Sequence, residues 1–168
     1  DDRTLGFDGY ARTSEYVPAR DGVRLAIDVY RPMRRGVVAP ERLPVVWVFT
    51  PYNRAVRSPD GQIVPPYEYA RLLANGYAVA IADVRGKGAS FGTRNGPADR
   101  HETNDAYDLT EWLARQPWST GRVGMTGPSG MSGPTGMTGT PGMMGVEGEK
   151  GEQGKTGGDT TVVVVPAK

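Results

Sequence analysis

Few residues of this 168-residue chain have the types and spacing that nucleophilic, metal or cofactor chemistry requires. The sequence has no cysteine, which excludes disulfides, thiolate zinc sites and a cysteine nucleophile. It has one histidine, His101, and its carboxylates are scattered without the spacing of metal ligands. The run Gly86-Lys87-Gly88 has neither the Walker pattern nor the Rossmann spacing of a phosphate-binding loop. We therefore predict neither a metal nor a cofactor.

The overall charge and hydropathy exclude two further classes of partner. With 20 basic and 19 acidic residues the net charge is +1, so no basic surface for nucleic acid is expected. No apolar run approaches the roughly 20 residues that span a bilayer, so no membrane segment is predicted. The chain opens Asp1-Asp2-Arg3 with no signal segment, from which we expect a removed leader or a fragment. The sequence does not indicate in which cellular compartment the protein lies.

The elements that would position any site begin with strands. Residues 23–30 alternate in polarity and are rich in β-branched side chains, which predicts a strand that Pro32 should end. Residues 44–50 and 77–83 are continuous apolar runs, typical of strands buried on both faces of a sheet. Residues 123–126 predict one more short strand.

Two helices are predicted between these strands. The first covers residues 67–73 and should end at the Asn-Gly pair of residues 75–76. The second covers residues 103–115, and Thr103 or Asn104 would cap its start. We expect its solvated face to carry the acidic side chains Asp105, Asp108 and Glu111. Strands alternating with helices predict an α/β fold with parallel strands and crossover helices.

A different pattern begins at Gly121. From there through Gly157 glycine occupies every third position, thirteen times in register. This is the Gly-X-Y repeat of a collagen triple helix, in which only glycine fits at the crowded axis. The tract holds three prolines, well below the roughly 15–20% imino content of strong collagen. A weak triple helix, which would make the chain a homotrimer, and a disordered glycine-rich tail are both open.

Five patches of the first part are motif-like. In chain order they are residues 17–25 (VPARDGVRL) with 28–32 (DVYRP), 50–54 (TPYNR), 82–92 (ADVRGKGASFG), 102–119 (ETNDAYD, EWLA and QPWS), and 121–127 (GRVGMTG). In this order and at these spacings they resemble the amino-terminal part of the Xaa-Pro dipeptidyl-peptidase-like, cocaine-esterase-type α/β-hydrolases. The resemblance implies a partial α/β-hydrolase sheet. It also implies hydrolysis of a small acyl or prolyl-peptide substrate through an acyl-serine intermediate.

The resemblance also implies two catalytic residues. In that family the last patch leads into a nucleophile elbow of the form Gly-x-Ser-Tyr-x-Gly, and Ser129 falls at the nucleophile. A tyrosine in the loop that contains Tyr52 donates its hydroxyl to the oxyanion. The pattern departs after the serine, because Gly130 replaces the tyrosine and Ser132 stands where the last glycine belongs. Ser129 is also explained as the Y position of a Gly-Pro-Ser triplet.

The remaining members of a catalytic triad are not evident in the chain as given. A triad needs a histidine near the serine and a carboxylate that orients it. In this fold the histidine follows the nucleophile, so we expect His101 to be a surface residue before the second helix. No histidine follows Ser129, which predicts a truncated and inactive hydrolase. Asp83 and Arg85 are expected to shape a turn and to pair charges.

These interpretations divide the chain into three parts. Residues 1–126 would be the amino-terminal part of a hydrolase domain, residues 127–159 a collagen-like repeat, and residues 160–168 a short tail. The predicted function is that of a serine hydrolase by resemblance. One alternative is a non-catalytic structural or adhesive protein trimerised by the repeat. Another is that the junction, between residues 121 and 130, is an artefact of gene prediction or assembly.

Overall fold

The computed structural model describes residues 6–97, 99–127 and 163–165. Their strands are β1 (Gly9–Pro18), β2 (Arg24–Arg34), β3 (Val37–Val38), β4 (Leu43–Thr50), β5 (Val56–Arg57), β6 (Ile63–Val64), β7 (Ala78–Asp83), β8 (Ser119–Thr126) and β9 (Val163–Val165). Their helices are α1 (Tyr67–Ala74) and α2 (Arg100–Ala114). The predicted strands at 44–50 and 77–83 and the predicted helix at 67–73 are confirmed to within one residue at each end.

One mixed sheet contains seven of these strands, while β5 and β6 pair with each other in a separate two-stranded sheet. The order of the mixed sheet is β1-β2-β7-β4-β8-β9, with β3 paired to β2. The central strand β4 pairs in parallel with β7 on one side and with β8 on the other. The outer strands β1, β2 and β9 run antiparallel to their neighbours. Each parallel connection contains a helix, as the sequence predicts, since α1 lies between β4 and β7 and α2 between β7 and β8.

The two helices cover opposite faces of the sheet. All six residues of β7 are buried, and their side chains alternate between the faces. One face belongs to the cluster that holds Leu109 and Leu113 of α2. The other face belongs to a cluster whose members include Tyr69, Leu73, Val79 and Ile81. Burial on both faces explains why the central strands are continuous apolar runs.

The sheet's antiparallel edge differs from the prediction in two respects. Strand β1 was not predicted, because as an outer strand it keeps polar, half-exposed side chains. Strand β2 passes through Pro32 and continues to Arg34, so the expected stop at Pro32 is wrong. The pairing of β2 with β7 ends at Tyr30, and the Pro32 carbonyl accepts a hydrogen bond from Ala39 on that same side. The missing N–H of the proline therefore falls beyond the β7 ladder.

Helix α2 begins earlier than predicted. Its N-cap is Asp99, whose Oδ1 accepts a hydrogen bond of 2.7 Å from the backbone N–H of Glu102. Thr103 and Asn104, the predicted caps, lie inside the helix. Among residues 6–97 and 99–127, neither helix has the length and apolar character needed to cross a membrane.

The structure assigns the beginning of the glycine pattern to the sheet. Gly121 and Gly124 lie within β8, and Gly124 pairs with Val46 of β4. The rest of the predicted Gly-X-Y tract, including Ser129, lies outside the described residues. In the predicted tail, residues 163–165 form β9 against β8.

Candidate active site

The candidate site lies at the carboxyl ends of the parallel strands. Val48 of β4 is the register partner of Thr126 of β8, so the loops after these two strands leave the same edge of the sheet side by side. The chain passes from β4 to β7 on one side, whereas β8 lies on the other. The strand order therefore reverses between β4 and β8. In α/β sheets ligands bind outside the carboxyl ends of the strands at such a switch point.

Tyr52 lies in the loop that follows β4. Tyr52 is 68% exposed, although it lies only two positions past the largely buried strand β4. Its backbone N–H donates to Oγ1 of Thr50 at 3.1 Å, while the Thr50 carbonyl accepts from the N–H of Val84 at 3.0 Å. The strand end is thus tied both to the next loop and to the base of the tyrosine, and the phenol is left facing solvent.

Ser129, the predicted nucleophile, lies outside the described residues. It follows the last residue of β8, Thr126, by three positions. Three residues extend at most about 11 Å.

A buried ionic cluster beneath the Tyr52 loop was not predicted from the sequence. It consists of Arg12, Asp28, Arg54 and Asp83, and both carboxylates are fully buried. The Arg54 guanidinium bridges them, with Nε donating to Asp28 Oδ1 at 3.1 Å and Nη1 to Asp83 Oδ2. Arg12 supplies a second cation to Asp28 through Nη2 at 3.1 Å. The signal available in the sequence was an aspartate, Asp28, in the otherwise apolar run of residues 25–30 and another, Asp83, at the end of the apolar strand β7.

The loop after β7 has the structural role that the sequence predicts for Asp83 and Arg85. The Asp83 carboxylate accepts the backbone N–H groups of Arg54 at 2.8 Å and Ala89 at 3.0 Å. Gly88, at φ +53°, lies against that carboxylate so closely that a Cβ would overlap it. The loop is therefore built around a buried anion.

Arg85 connects the same loop to helix α2. Its guanidinium forms hydrogen bonds of 2.6 Å with both oxygens of Asp105 and a bond of 3.0 Å with Asp21. Asp105 is 1% exposed, so its expected place on a solvated face is wrong. The bond to Asp105 raises the pKa of Arg85, and the bond from Arg85 lowers the pKa of Asp21.

His101 lies in the first turn of α2 rather than before the helix. It is exposed, and its Nδ1 is 3.9 Å from Asp21 Oδ2. It helps to line a charged cleft of about 400 Å³ together with Arg20 and Asp21. Within the part of the chain that the structure describes, no group of three or more His, Asp or Glu side chains comes together as a metal site would require.

Comparison with known proteins gives a consistent result. A family model described as X-Pro dipeptidyl-peptidase (S15 family) matches residues 21–139, a range that includes Ser129. A serine esterase of Mycobacterium bovis is 38% identical over 127 residues, covering 68% of this chain and 20% of the relative. The cocaine esterase of a Rhodococcus species is 42% identical over 110 residues, covering 65% of this chain and 17% of the relative.

The fold has a similar counterpart among solved structures. An α-amino acid ester hydrolase superposes with a TM-score of 0.55 at 28% identity, over 74% of this chain and 22% of that one. The mixed sheet with helices on both faces is accordingly of the α/β-hydrolase type. The chain spans about a fifth of the length of the curated relatives it matches.

Proposed function

This chain belongs to the X-Pro dipeptidyl-peptidase (S15) family, and on that premise we propose that it forms the amino-terminal part of a serine hydrolase. The substrate class is an ester or a peptide bond that follows proline, on a small acyl or prolyl-peptide molecule. The observation that carries the proposal is the adjacency of β4 and β8, whose carboxyl ends bring the Tyr52 loop and the chain leading to Ser129 to one edge.

Each residue of the site has a defined step in that reaction. The Ser129 hydroxyl attacks the substrate carbonyl carbon, its proton passes to a histidine base, and the carbonyl oxygen becomes an anion. The Tyr52 hydroxyl and the backbone N–H after the serine donate hydrogen bonds to this oxyanion. Collapse expels the alcohol or amine with a proton from the histidine and leaves an acyl-serine. Water then releases the acid by the same steps.

The 168-residue chain by itself has no histidine after Ser129 to act as the base in this chemistry. The single histidine of the sequence, His101, precedes Ser129 and lies at the surface, where its Nδ1 is 3.9 Å from Asp21 Oδ2. We therefore propose that the isolated chain does not turn over an ester through Ser129. The unmodified chain and its Ser129→Ala variant should hydrolyse a nitrophenyl ester at the same background rate. A lower rate for the variant would contradict this proposal.

A chimera tests the role of the Tyr52 loop. Residues 1–126 of this chain would be fused to the part of the Rhodococcus esterase that follows its matching strand. We expect a folded chimera to hydrolyse nitrophenyl acetate. Tyr52→Phe should lower its kcat by about 10²–10³-fold with little change in KM, as loss of an oxyanion donor does.

The matched control for that experiment is Tyr16→Phe. Tyr16 is also an exposed tyrosine, but it lies on β1 at the opposite side of the sheet from β8. Its variant should keep the kcat of the chimera. A folded chimera in which Tyr52→Phe keeps full kcat would contradict the oxyanion role.

A second candidate function rests on the glycine repeat beyond β8. From Gly127 to Gly157 glycine still recurs at every third position, eleven times. This pattern supports a homotrimer held by a collagen-like triple helix, with the sheet as a non-catalytic head. A trimer in sedimentation, with a polyproline-like circular dichroism signal lost cooperatively on heating, would support it. Gly139→Ala should abolish that signal while Thr138→Ala keeps it, and a strict monomer would contradict this function.

A further inference from the structure

The loop that carries Tyr52 has a backbone conformation that needs support. Asn53 has φ +126°, a value that side chains with a Cβ adopt rarely. Its own Oδ1 accepts the N–H of Ala55 at 3.1 Å, but that bond is exposed to solvent. Local interactions at the surface are therefore weak, and the conformation must be held by the residues on either side of Asn53.

Those neighbours are anchored to the sheet. On one side the Tyr52 N–H is bound to Thr50, the last residue of β4. On the other side the Arg54 N–H donates to the buried Oδ1 of Asp83 at 2.8 Å. Both anchors belong to register partners, because Thr50 and Asp83 face each other across β4 and β7. The chain between two fixed points has little freedom.

The Arg54 side chain strengthens the second anchor. It is 13% exposed and contacts two carboxylates, Asp28 and Asp83, that are completely buried. A buried carboxylate requires a cation and hydrogen bonds to remain charged. A planar guanidinium can donate to both at once, whereas the single ammonium of lysine cannot hold this fork. The side-chain tie between loop and sheet is therefore specific to arginine.

We propose that Arg54 is a positioning residue for the candidate site: its guanidinium, held between Asp28 and Asp83, fixes the loop in which Tyr52 stands at the carboxyl edge. The functional meaning of this role rests on the proposed hydrolase function. The ordering of the loop does not, because it is a property of the described residues and needs no turnover.

A nitroxide spin label at position 52 would measure this order directly. The sequence contains no cysteine, so Tyr52→Cys gives a single labelling site in the full chain. We expect the label's spectrum to be that of an ordered loop. Arg54→Met should narrow it to that of a mobile loop, and Arg54→Lys, which keeps the charge without the fork, should give an intermediate spectrum.

Arg85→Met is the matched control. It removes the guanidinium of another buried arginine–aspartate pair, Arg85 with Asp105, whose contacts do not include the Tyr52 loop. This variant should lose stability while the label at position 52 stays ordered. A label that stays ordered in folded Arg54→Met, or one that is mobilised equally by Arg85→Met, would overturn the proposal.

Should Arg54→Met fail to fold, amide hydrogen exchange of the parent chain tests the ordered loop that the proposal requires. The Arg54 N–H bound to Asp83 should exchange at least tenfold more slowly than the N–H of Ala55, whose acceptor is exposed. Equal rates for the two amides would overturn the anchoring role. Because neither readout involves catalysis, failure here is distinct from failure of the Tyr52→Phe chimera.

Discussion

Arg85 and Asp105 form two parallel hydrogen bonds, Nε to Oδ2 and Nη2 to Oδ1, each 2.6 Å long. The pair is almost fully buried, with side-chain exposures of 7% and 1%. It ties the loop after β7 to helix α2 and so fixes the helix over its face of the sheet.

Removal of one partner of that pair should be strongly destabilising. Asp105→Ala leaves the Arg85 guanidinium buried with only a part-exposed Asp21, which should lower the free energy of unfolding by about 3–5 kcal/mol. Urea unfolding measures this loss. The double variant Arg85→Met/Asp105→Leu removes both charges and should lose less than Asp105→Ala. A double variant as unstable as the single one would contradict the argument from uncompensated charge.

Gly88 should not tolerate a side chain. Gly88→Ala brings a Cβ into the buried Asp83 carboxylate and places alanine at φ +53°. The variant is therefore destabilised both by steric overlap and by an unfavourable backbone conformation. Gly22→Ala is the control, because φ is +81° there but nothing lies within 4 Å of its Cβ. We expect Gly22→Ala to cost about 1 kcal/mol and Gly88→Ala at least twice that. Equal losses of stability in thermal unfolding would mean that the Asp83 side chain moves aside and that the overlap costs nothing.

The start of helix α2 gives a prediction on capping. Asp99→Ala removes the acceptor of the Glu102 N–H and should lower stability by about 1 kcal/mol. Asn104→Ala changes a residue inside the same helix and should be neutral or slightly stabilising, since alanine favours helix interiors. Chemical denaturation of both variants measures the difference. A larger loss of stability in Asn104→Ala than in Asp99→Ala would contradict Asp99 as the N-cap.

Asp108 predicts an acid-sensitive contribution to stability. The side-chain hydrogen bond from Arg20 lowers the pKa of Asp108 in the folded chain. A carboxyl with a lowered folded pKa contributes stability that is present above its unfolded pKa, about 4, and is lost as pH falls through the folded value. Asp108→Asn should therefore be less stable than the parent near neutral pH and converge with it in acid. A difference that is constant with pH would rule out this ionic contribution.

The sequence predicted the elements that are buried on both faces and missed those with mixed surroundings. Strands β4 and β7 carry an unbroken apolar signal because helices cover both sides of the sheet. Strand β1 lies outside them and shows no such pattern. Its ten residues all pair with β2, and this pairing is not visible in the residue types of β1 alone.

Asp105 shows why a charged residue was misplaced. It precedes Leu109 and Leu113 by four and eight positions, so helical spacing puts it on their buried face. Because aspartate is acidic, we expected Asp105 to face solvent. Its partner Arg85 lies twenty residues earlier in the chain, and their contact is seen only in the structure. The Arg54 cluster was missed for the same reason, since its members come from β1, β2, the loop after β4 and the end of β7.

The proposed function requires the side chains at positions 52 and 129 to come together at the carboxyl edge of the sheet. In this cysteine-free chain, Tyr52→Cys/Ser129→Cys provides one reactive pair for a short bismaleimide. Tyr52→Cys/Thr120→Cys is the control, because Thr120 is exposed near the amino end of β8, about 20 Å along the strand from its carboxyl end. We expect rapid intramolecular cross-linking of the first pair and little of the second. Cross-linking of the first pair no faster than the control, or only between chains, would contradict it.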